Sequence, residues 1–332
     1  MSEQSQRWPT VSVVIPVLNE ELHLRDAVEA ILRQEYPGTF DVCLALGPSR
    51  DRTEAVAHEL TQRFANVRTV PNPTGATPAG LNAAIRATTG EVVVRVDGHA
   101  VLPDGYITRA VQTLERTGAV NVGGVQLAEG TTPFENAVAL AMASPFGMGG
   151  ARYHTGGAEG PVDTVYLGVF RRSAIESVGL FDESLIRNQD YELNIRLRAA
   201  GGVVWFDPQL EVAYRPRPNF ARLARQYFEY GAWKRAVLRM HPGSLRLRQI
   251  VAPLALAAIV VAFVLSPWLP ITLAVPGIYA VAILVAAVTT GARHGVGSVL
   301  RLLGVFPTLH MSWGAGFVVG SSPRRVQRPG LR

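Results

Sequence analysis

The sequence predicts an α/β domain with a mostly parallel, Rossmann-like sheet, followed by C-terminal transmembrane helices. In the first hundred residues, short β-branched runs alternate with helical patterns, which is typical of a parallel sheet covered on both faces. Beyond Gln249, two long apolar stretches contain no charged residue. The 332 residues exceed one ordinary domain, so the chain is long enough for both parts.

Four apolar runs in the first part are predicted strands, separated by predicted helices. The strands are residues 11–18, 41–46, 67–70 and 91–96, and the helices are the segment after residue 19 and residues 53–64 and 81–87. Asn19 is expected to cap the first helix. Because ligands bind beyond the carboxyl ends of parallel strands, we expect a site formed by residues 19–20, 47–51 and 97–99.

A glycine-rich stretch, residues 121–168, follows this alternation. A flexible surface loop and a loop that covers the substrate on binding both fit its composition. At its end a strand is expected over residues 162–170, and further on an amphipathic helix is expected over residues 190–200.

The C-terminal third contains three apolar segments. Residues 250–269 and 271–290 are each long enough, at about 1.5 Å per residue, to cross a hydrocarbon core of about 30 Å. A buried hairpin of a soluble protein is the alternative, but two adjacent uncharged runs favour a membrane. The third segment, residues 302–320, contains Pro307 and His310 and is expected to be re-entrant or interfacial.

Positive charge flanks these segments. The net charge of +6 comes almost entirely from arginine, because Lys234 is the only lysine. Arginines among aromatic residues before the first span predict an interfacial helix on anionic headgroups and a cytoplasmic location. Nucleic-acid binding is the competing use of such a patch, but the adjoining span favours lipid. The expected divisions are residues 1–214 (α/β domain), 215–248 (basic amphipathic segment), 249–321 (membrane region) and 322–332 (basic tail).

The cysteine content and the N-terminus bear on the compartment. Cys43 is the only cysteine, so no intrachain disulfide is possible and nothing indicates an oxidising compartment. The first ten residues lack an apolar run, which predicts that no secretory signal peptide is present. We therefore expect a multi-pass protein of the cytoplasmic membrane with its α/β domain in the cytoplasm.

Two short motifs carry residues suited to catalysis. Asp97 and His99 follow a predicted strand with Gly98 between them, so both side chains can face one ligand. A carboxylate there could hold a divalent cation that neutralises a diphosphate, or it could simply cap a turn. Asp190 opens a predicted helix, where an acid serves either as a cap or as a general base.

These features together resemble the GT-A-fold, family 2 inverting glycosyltransferases over residues 10–202. The first strand and the turn after it, which carry Pro16, Asn19 and Glu20, resemble the nucleotide-contacting start of that family. Asp51 lies in a match to its Ser-x-Asp-x-Thr turn. Residues 72–82, which end at Asn82, resemble the loop and helix of that family that lie against the donor. The resemblance implies that these residues bind the nucleotide.

The later motifs of the family also have counterparts. Asp97-Gly98-His99 occupies the place of the Asp-x-Asp motif, which implies that Asp97 contacts the donor and binds metal, with His99 as a second metal ligand. Residues 179–183 resemble the Gly-x-Phe-Asp-Glu element. Gln189-Asp190 resembles the Glu-Asp element, which implies that Asp190 is the catalytic base.

Within this family, the chain resembles the succinoglycan-biosynthesis ExoA-like subgroup. Residues 95–100 match its Arg-Val-Asp-x-His-Ala motif, and membrane segments follow the catalytic domain in both. Residues 226–231 fall short of the Gln-x-x-Arg-Trp motif of processive synthases, so processive polymerisation is not expected.

Three residues depart from the common pattern. Leu46 replaces an aspartate that reads uracil in many relatives, which leaves the donor base open between UDP- and GDP-sugars. Gln189 replaces a glutamate and so removes a like charge that would raise the pKa of Asp190. His99 replaces a metal-binding aspartate; imidazole suits Mn²⁺ better than Mg²⁺, and a hydrogen bond from His99 to a phosphate is the alternative.

The resemblance implies an inverting transfer of a sugar from a nucleotide-diphosphate donor to a lipid-linked or polysaccharide-precursor acceptor. A divalent cation, Mn²⁺ or Mg²⁺, would assist the leaving group. Polyprenyl phosphate as the acceptor is one alternative. A catalytically silent, nucleotide-sugar-binding membrane protein is another, and a nucleic-acid-binding membrane protein is a third that rests only on the arginines.

Overall fold

The computed structural model describes residues 7–321, which form two compact units. The sheet unit comprises the described residues up to 126 and residues 157–213. The helical unit comprises residues 127–156 and the described residues from 214 onward. The predicted basic tail, residues 322–332, lies outside the described residues.

Within residues 7–321, eight strands form one sheet in the order β3-β2-β1-β4-β7-β5-β8-β6. The strands are β1 Val11–Val17, β2 Phe40–Leu46, β3 Val67–Pro71, β4 Val92–Arg95, β5 Asn121–Ala128, β6 Gly160–Pro161, β7 Tyr166–Arg171 and β8 Val204–Tyr214. β1 pairs in parallel with β2 and β4, whereas β7 runs antiparallel to β4 and β5. The predicted Rossmann-like, mostly parallel sheet is confirmed.

Thirteen α-helices accompany the sheet in the described part of the chain. They are α1 Leu24–Leu32, α2 Thr53–Arg63, α3 Thr77–Arg86, α4 Tyr106–Thr117, α5 Pro133–Met142, α6 Pro145–Met148, α7 Arg152–Thr155, α8 Arg172–Ser177, α9 Gln189–Ala199, α10 Phe220–Met240, α11 Val251–Leu265, α12 Ala274–Gly291 and α13 Val296–Val319. The predicted helices over residues 53–64, 81–87 and 190–200 correspond to α2, α3 and α9.

The core explains why the sheet is covered on both faces. Successive residues of a strand point to opposite faces. Val13 and Ile15 of β1 belong to the same buried cluster as Leu24 of α1, whereas Val14 belongs to a second cluster with Leu81 of α3. A continuous apolar strand is stable here because both of its faces are removed from water.

The prediction that Asn19 caps the first helix is wrong. α1 begins at Leu24, His23 occupies the N-cap position without a side-chain cap, and Leu22 is exposed. Asn19 has a φ of 56° and accepts a hydrogen bond from the backbone N–H of Arg50 at 2.8 Å. Its amide oxygen is therefore committed to the turn after β2.

The glycine-rich stretch is more regular than a loop. It forms β5 and then α5, whose N-terminus has a reciprocal capping box between Thr132 and Glu135. A Cβ on Gly124 would lie 1.8 Å from the backbone oxygen of Leu210, so glycine permits β8 to approach β5 closely. The expectation of a loop across the whole stretch is wrong.

In the described part of the helical unit, three helices are long and apolar enough to cross a membrane: Leu247–Leu265 and Pro270–His294, each counted with its adjoining turns, and Val296–Val319. Most side chains of α11 and α12 are exposed although they are apolar. Such a surface is unusual for a protein in water and typical of a lipid-facing one. α13 is one continuous helix in spite of Pro307.

Candidate active site

The turns after β1 and β2 are tied together by hydrogen bonds. The backbone N–H of Asn19 donates to Ser49 Oγ at 3.0 Å, and that of Glu20 donates to Thr53 Oγ1 at 2.8 Å. Asp51 accepts from the backbone N–H of Glu21 at 3.2 Å. Two of the three predicted strand-end segments therefore lie side by side.

Asp51 organises this pair of turns. Its Oδ1 accepts hydrogen bonds from the backbone N–H and the hydroxyl of Thr53 at 3.1 and 2.5 Å. These bonds to the ionised carboxylate, that from the Thr53 hydroxyl first among them, hold the pKa of Asp51 below its usual value. Asp51 is thus a fixed negative charge at the sheet edge.

The fourth strand brings the third segment to the same place. His99 Nδ1 lies 2.8 Å from Glu20 Oε1. A Cβ on Gly98 would lie 3.0 Å from Glu20 Cγ, so glycine allows the two turns to approach each other. The strand ends after β1, β2 and β4 form one continuous edge, as the sequence predicts.

Pro16 and Asn82 lie where α3 packs on β1. A Cβ on Gly80 would lie 3.2 Å from Pro16 Cβ, which shows how closely the helix approaches. Asn82 is buried, and its amide donates to the backbone oxygen of Phe181 at 2.9 Å and to Glu183 at 2.8 Å. Its Oδ1 accepts from the backbone N–H of Phe181 at 3.0 Å. These three hydrogen bonds show that Asn82 fixes the loop that contains Phe181 and Glu183. They give no support to direct contact between Asn82 and a nucleotide.

Asp97 and Asp190 meet through Arg95, the last residue of β4. The Arg95 guanidinium donates to Asp97 Oδ1 at 2.7 Å and to Asp190 Oδ2 at 2.8 Å. The arginine side chain is only 8% exposed. A buried guanidinium needs carboxylate partners to offset its lost hydration, and here it has two. The two carboxylates that sequence reasoning assigned to donor and acceptor therefore share one site.

The surroundings of Asp190 suit a proton acceptor. Its side chain is 27% exposed, yet Oδ1 is buried and has no hydrogen-bond partner among the described residues. Burial raises the pKa of Asp190 above its usual value, the Arg95 guanidinium counteracts this, and the charge of Asp97 adds to it. A raised pKa makes the carboxylate a stronger base than one in water.

The residues near Asp97 suit a cation that takes most of its ligands from a diphosphate. Among residues 7–321, no group of three His, Cys, Asp or Glu side chains is arranged to hold a metal ion. Arg95 engages only Oδ1 of Asp97. One or two protein carboxylates are enough when substrate phosphates complete the coordination, as is common for Mg²⁺.

Sequence reasoning assigned no role to Arg95, although a signal was present. It is a charged residue at the end of the otherwise apolar strand Val92–Arg95. A charge in a buried strand requires opposite charges nearby. Which carboxylates supply them cannot be read from the sequence, because Asp190 lies 95 residues further along.

Comparison with known proteins identifies the class. The family model described as "Glycosyl transferase family 2" matches residues 12–179, and the chain belongs to this family. It is 31% identical over 312 residues to the succinoglycan biosynthesis protein ExoA of Rhizobium meliloti, covering 92% of this chain and 93% of that protein. The sequence-based assignment to an ExoA-like, family 2 glycosyltransferase is confirmed.

Two further comparisons are consistent with this result. A Methanococcus voltae dolichyl N-acetyl-alpha-D-glucosaminyl phosphate 3-beta-D-2,3-diacetamido-2,3-dideoxy-beta-D-glucuronosyltransferase is 25% identical over 69% of this chain and 74% of its own length. The structure of the mannosyltransferase PcManGT from Pyrobaculum calidifontis, in complex with GDP-Man and Mn²⁺, superposes with a TM-score of 0.62. The superposition covers 95% of this chain and 87% of that one at 19% identity, which supports the fold alone.

Proposed function

We propose that this glycosyltransferase performs a single inverting displacement, moving a sugar from a nucleoside-diphosphate donor onto a lipid-linked or polysaccharide-precursor acceptor. The observation that carries the proposal is the bridge from Arg95 to both Asp97 and Asp190, which brings a donor-side and an acceptor-side carboxylate into one site. The names of the relatives, in succinoglycan biosynthesis and in dolichyl-linked sugar transfer, support this class of acceptor.

Asp190 acts as the general base. It takes the proton of an acceptor hydroxyl, whose oxygen then attacks the anomeric carbon of the donor sugar. The bond from that carbon to the diphosphate oxygen breaks, and the nucleoside diphosphate leaves with the electron pair. Attack on the face opposite the leaving group inverts the anomeric configuration.

The donor is held at the edge formed by the turns after β1, β2 and β4. Asn19, Glu20 and Asp51 position the nucleotide, beside Pro16 at the end of β1. Asp97, with His99, would hold a divalent cation, Mn²⁺ or Mg²⁺, which when bound neutralises charge developing on the diphosphate. The Mn²⁺ and GDP-Man in the PcManGT complex support this class of cofactor and donor.

The location proposed is the cytoplasmic membrane, with the sheet unit in the cytoplasm. The exposed apolar surfaces of α11 and α12 support membrane insertion. Arginines of α10, such as Arg222 and Arg225, precede the first span and favour the cytoplasmic side under the positive-inside rule.

The Asp190→Asn variant tests the proposed base. The amide keeps the shape of the carboxylate but cannot accept the proton, so transfer should fall by about 10²- to 10⁴-fold. The assay follows radiolabelled sugar moving from UDP- and GDP-sugars to lipid extracts, and nucleotide binding is measured in parallel. Asp104→Asn, at an exposed carboxylate of the same unit, is the matched control.

The results separate the alternatives. Transfer by Asp190→Asn at the wild-type rate would contradict the assignment of the base. Nucleotide-sugar binding by the wild-type protein without turnover of any donor would indicate a silent binding protein.

A further inference from the structure

The contact between Arg95 and the two carboxylates has a geometry that only arginine can provide. Two separate nitrogens of one guanidinium each donate to a different carboxylate, at 2.7 and 2.8 Å. Lysine carries a point charge on a flexible stem and cannot reproduce this planar fork. The side chain therefore joins the end of β4, through Asp97, to the first turn of α9, through Asp190.

The two carboxylate oxygens of Asp190 have different surroundings. Arg95 binds Oδ2, whereas Oδ1 is buried and finds no hydrogen-bond partner within residues 7–321. A buried carboxylate oxygen without a partner loses free energy relative to one that accepts a hydrogen bond. Because Oδ1 is closed to solvent, the contact of Arg95 with Oδ2 is the side-chain hydrogen bond that fixes the orientation of this carboxylate.

We propose that Arg95 is a positioning residue that holds Asp190 by Oδ2 and keeps the base in register with the donor-side Asp97. This rests on the proposed function, since it takes Asp190 as the base. Arg95 itself does not touch the reacting atoms and acts through the orientation of Asp190.

The test compares Arg95→Lys and Arg95→Met with the wild-type protein in kcat, in KM for the donor and in affinity for the nucleotide alone. Because a misplacement of about 1 Å in a catalytic group can lower the rate about 10²-fold, kcat should fall by about that factor in both variants. KM for the donor and nucleotide affinity should change by less than about threefold, since binding is retained.

Two further variants show whether Arg95 acts through Asp190. The double variant Arg95→Met/Asp190→Asn should be no slower than Asp190→Asn alone, because an orienting residue has no effect once the base is gone. Arg109→Lys is the matched control, since Arg109 is paired with the buried Asp207 at 3.0 Å in the same unit but outside the site. It should leave kcat unchanged.

Each outcome has a separate meaning. Wild-type kcat in Arg95→Lys, with Asp190→Asn inactive, would overturn the positioning role and leave the base in place. Full activity of Asp190→Asn would overturn both. If Arg95→Met does not fold, as judged by thermal melting, Arg95→Lys alone and in combination with Asp190→Asn decides the question.

Discussion

The two units differ in which side chains they bury: the sheet unit buries paired charges, and the helical unit exposes large apolar side chains. In the sheet unit, Asp207 is fully buried beside Arg109, and Arg95 is almost fully buried between two carboxylates. In the helical unit, Ile278 is 70% exposed on α12. Buried charges are stable only when paired, and exposed apolar surface is stable only in an apolar solvent. The proposed membrane location accounts for this difference, since water would surround the sheet unit and lipid would surround α11 and α12.

The largest expected effect is the loss of the fully buried Asp207 carboxylate in the sheet unit. Asp207→Ala removes the partner of Arg109, whose side chain is 36% exposed, and leaves the buried Thr113 hydroxyl without its acceptor, so the free energy of unfolding should fall by about 3 kcal/mol. Thermal or denaturant unfolding in detergent measures it. Glu229→Ala, which breaks the exposed pair with Arg225, should cost less than about 1 kcal/mol, and equal losses would contradict the comparison.

Truncating one isoleucine in each unit compares the two cores directly. Ile15 of β1 is fully buried, so Ile15→Ala should lower the free energy of unfolding by about 2–5 kcal/mol. Ile278→Ala removes the same atoms from an exposed position and should have a small effect in detergent. A large loss at Ile278 would mean that α12 is packed against protein.

A charge placed on an exposed apolar position should distinguish lipid from water. Val260→Asp on α11 should oppose membrane insertion by about 2.5–3.5 kcal/mol, because the carboxylate would enter hydrocarbon. Leu22→Asp, at an exposed position of the sheet unit, is the control and should be tolerated. Carbonate extraction of membranes measures the outcome, and full membrane retention of Val260→Asp would argue against a lipid-facing α11.

The smallest effect concerns pH. Burial lowers the pKa of His154 from 6.5 to about 3, so the unfolded chain binds a proton that the folded chain rejects. Stability of the helical unit should therefore fall as pH decreases from 6.5 towards 3, by about 2 kcal/mol between pH 6.5 and pH 5. Melting curves of His154→Phe should lack this part of the pH dependence. An unchanged slope would mean that another group causes it.

Much of the sheet and its edge could be predicted because the signals are local. An apolar run such as residues 11–17 can bury both faces only inside a covered sheet, so β1 follows from composition. Parallel strands place their carboxyl ends together, and this predicts that the turns containing Asn19, Asp51 and Asp97 meet. Asp190 was found by its resemblance to a family motif.

Other features could not be predicted because they depend on partners distant in sequence. Asn19 matched a helix cap by residue type, yet its amide oxygen is bound by Arg50 across the strand ends. Glycines that suggested a loop instead permit close approach of strands, as Gly124 does beside Leu210. Neither contact can be recognised from the residues next to it in the sequence.

The sequence by itself determined the alternating strands and helices, the family motifs and the uncharged length of the C-terminal segments, because burial of apolar runs is a local property of composition. Only the tertiary structure decided that Arg95 joins Asp97 to Asp190 and that α13 packs along the charged α10. Both depend on which distant groups fill the same space, and the free energy of a buried charge or a close helix contact is set by that partner.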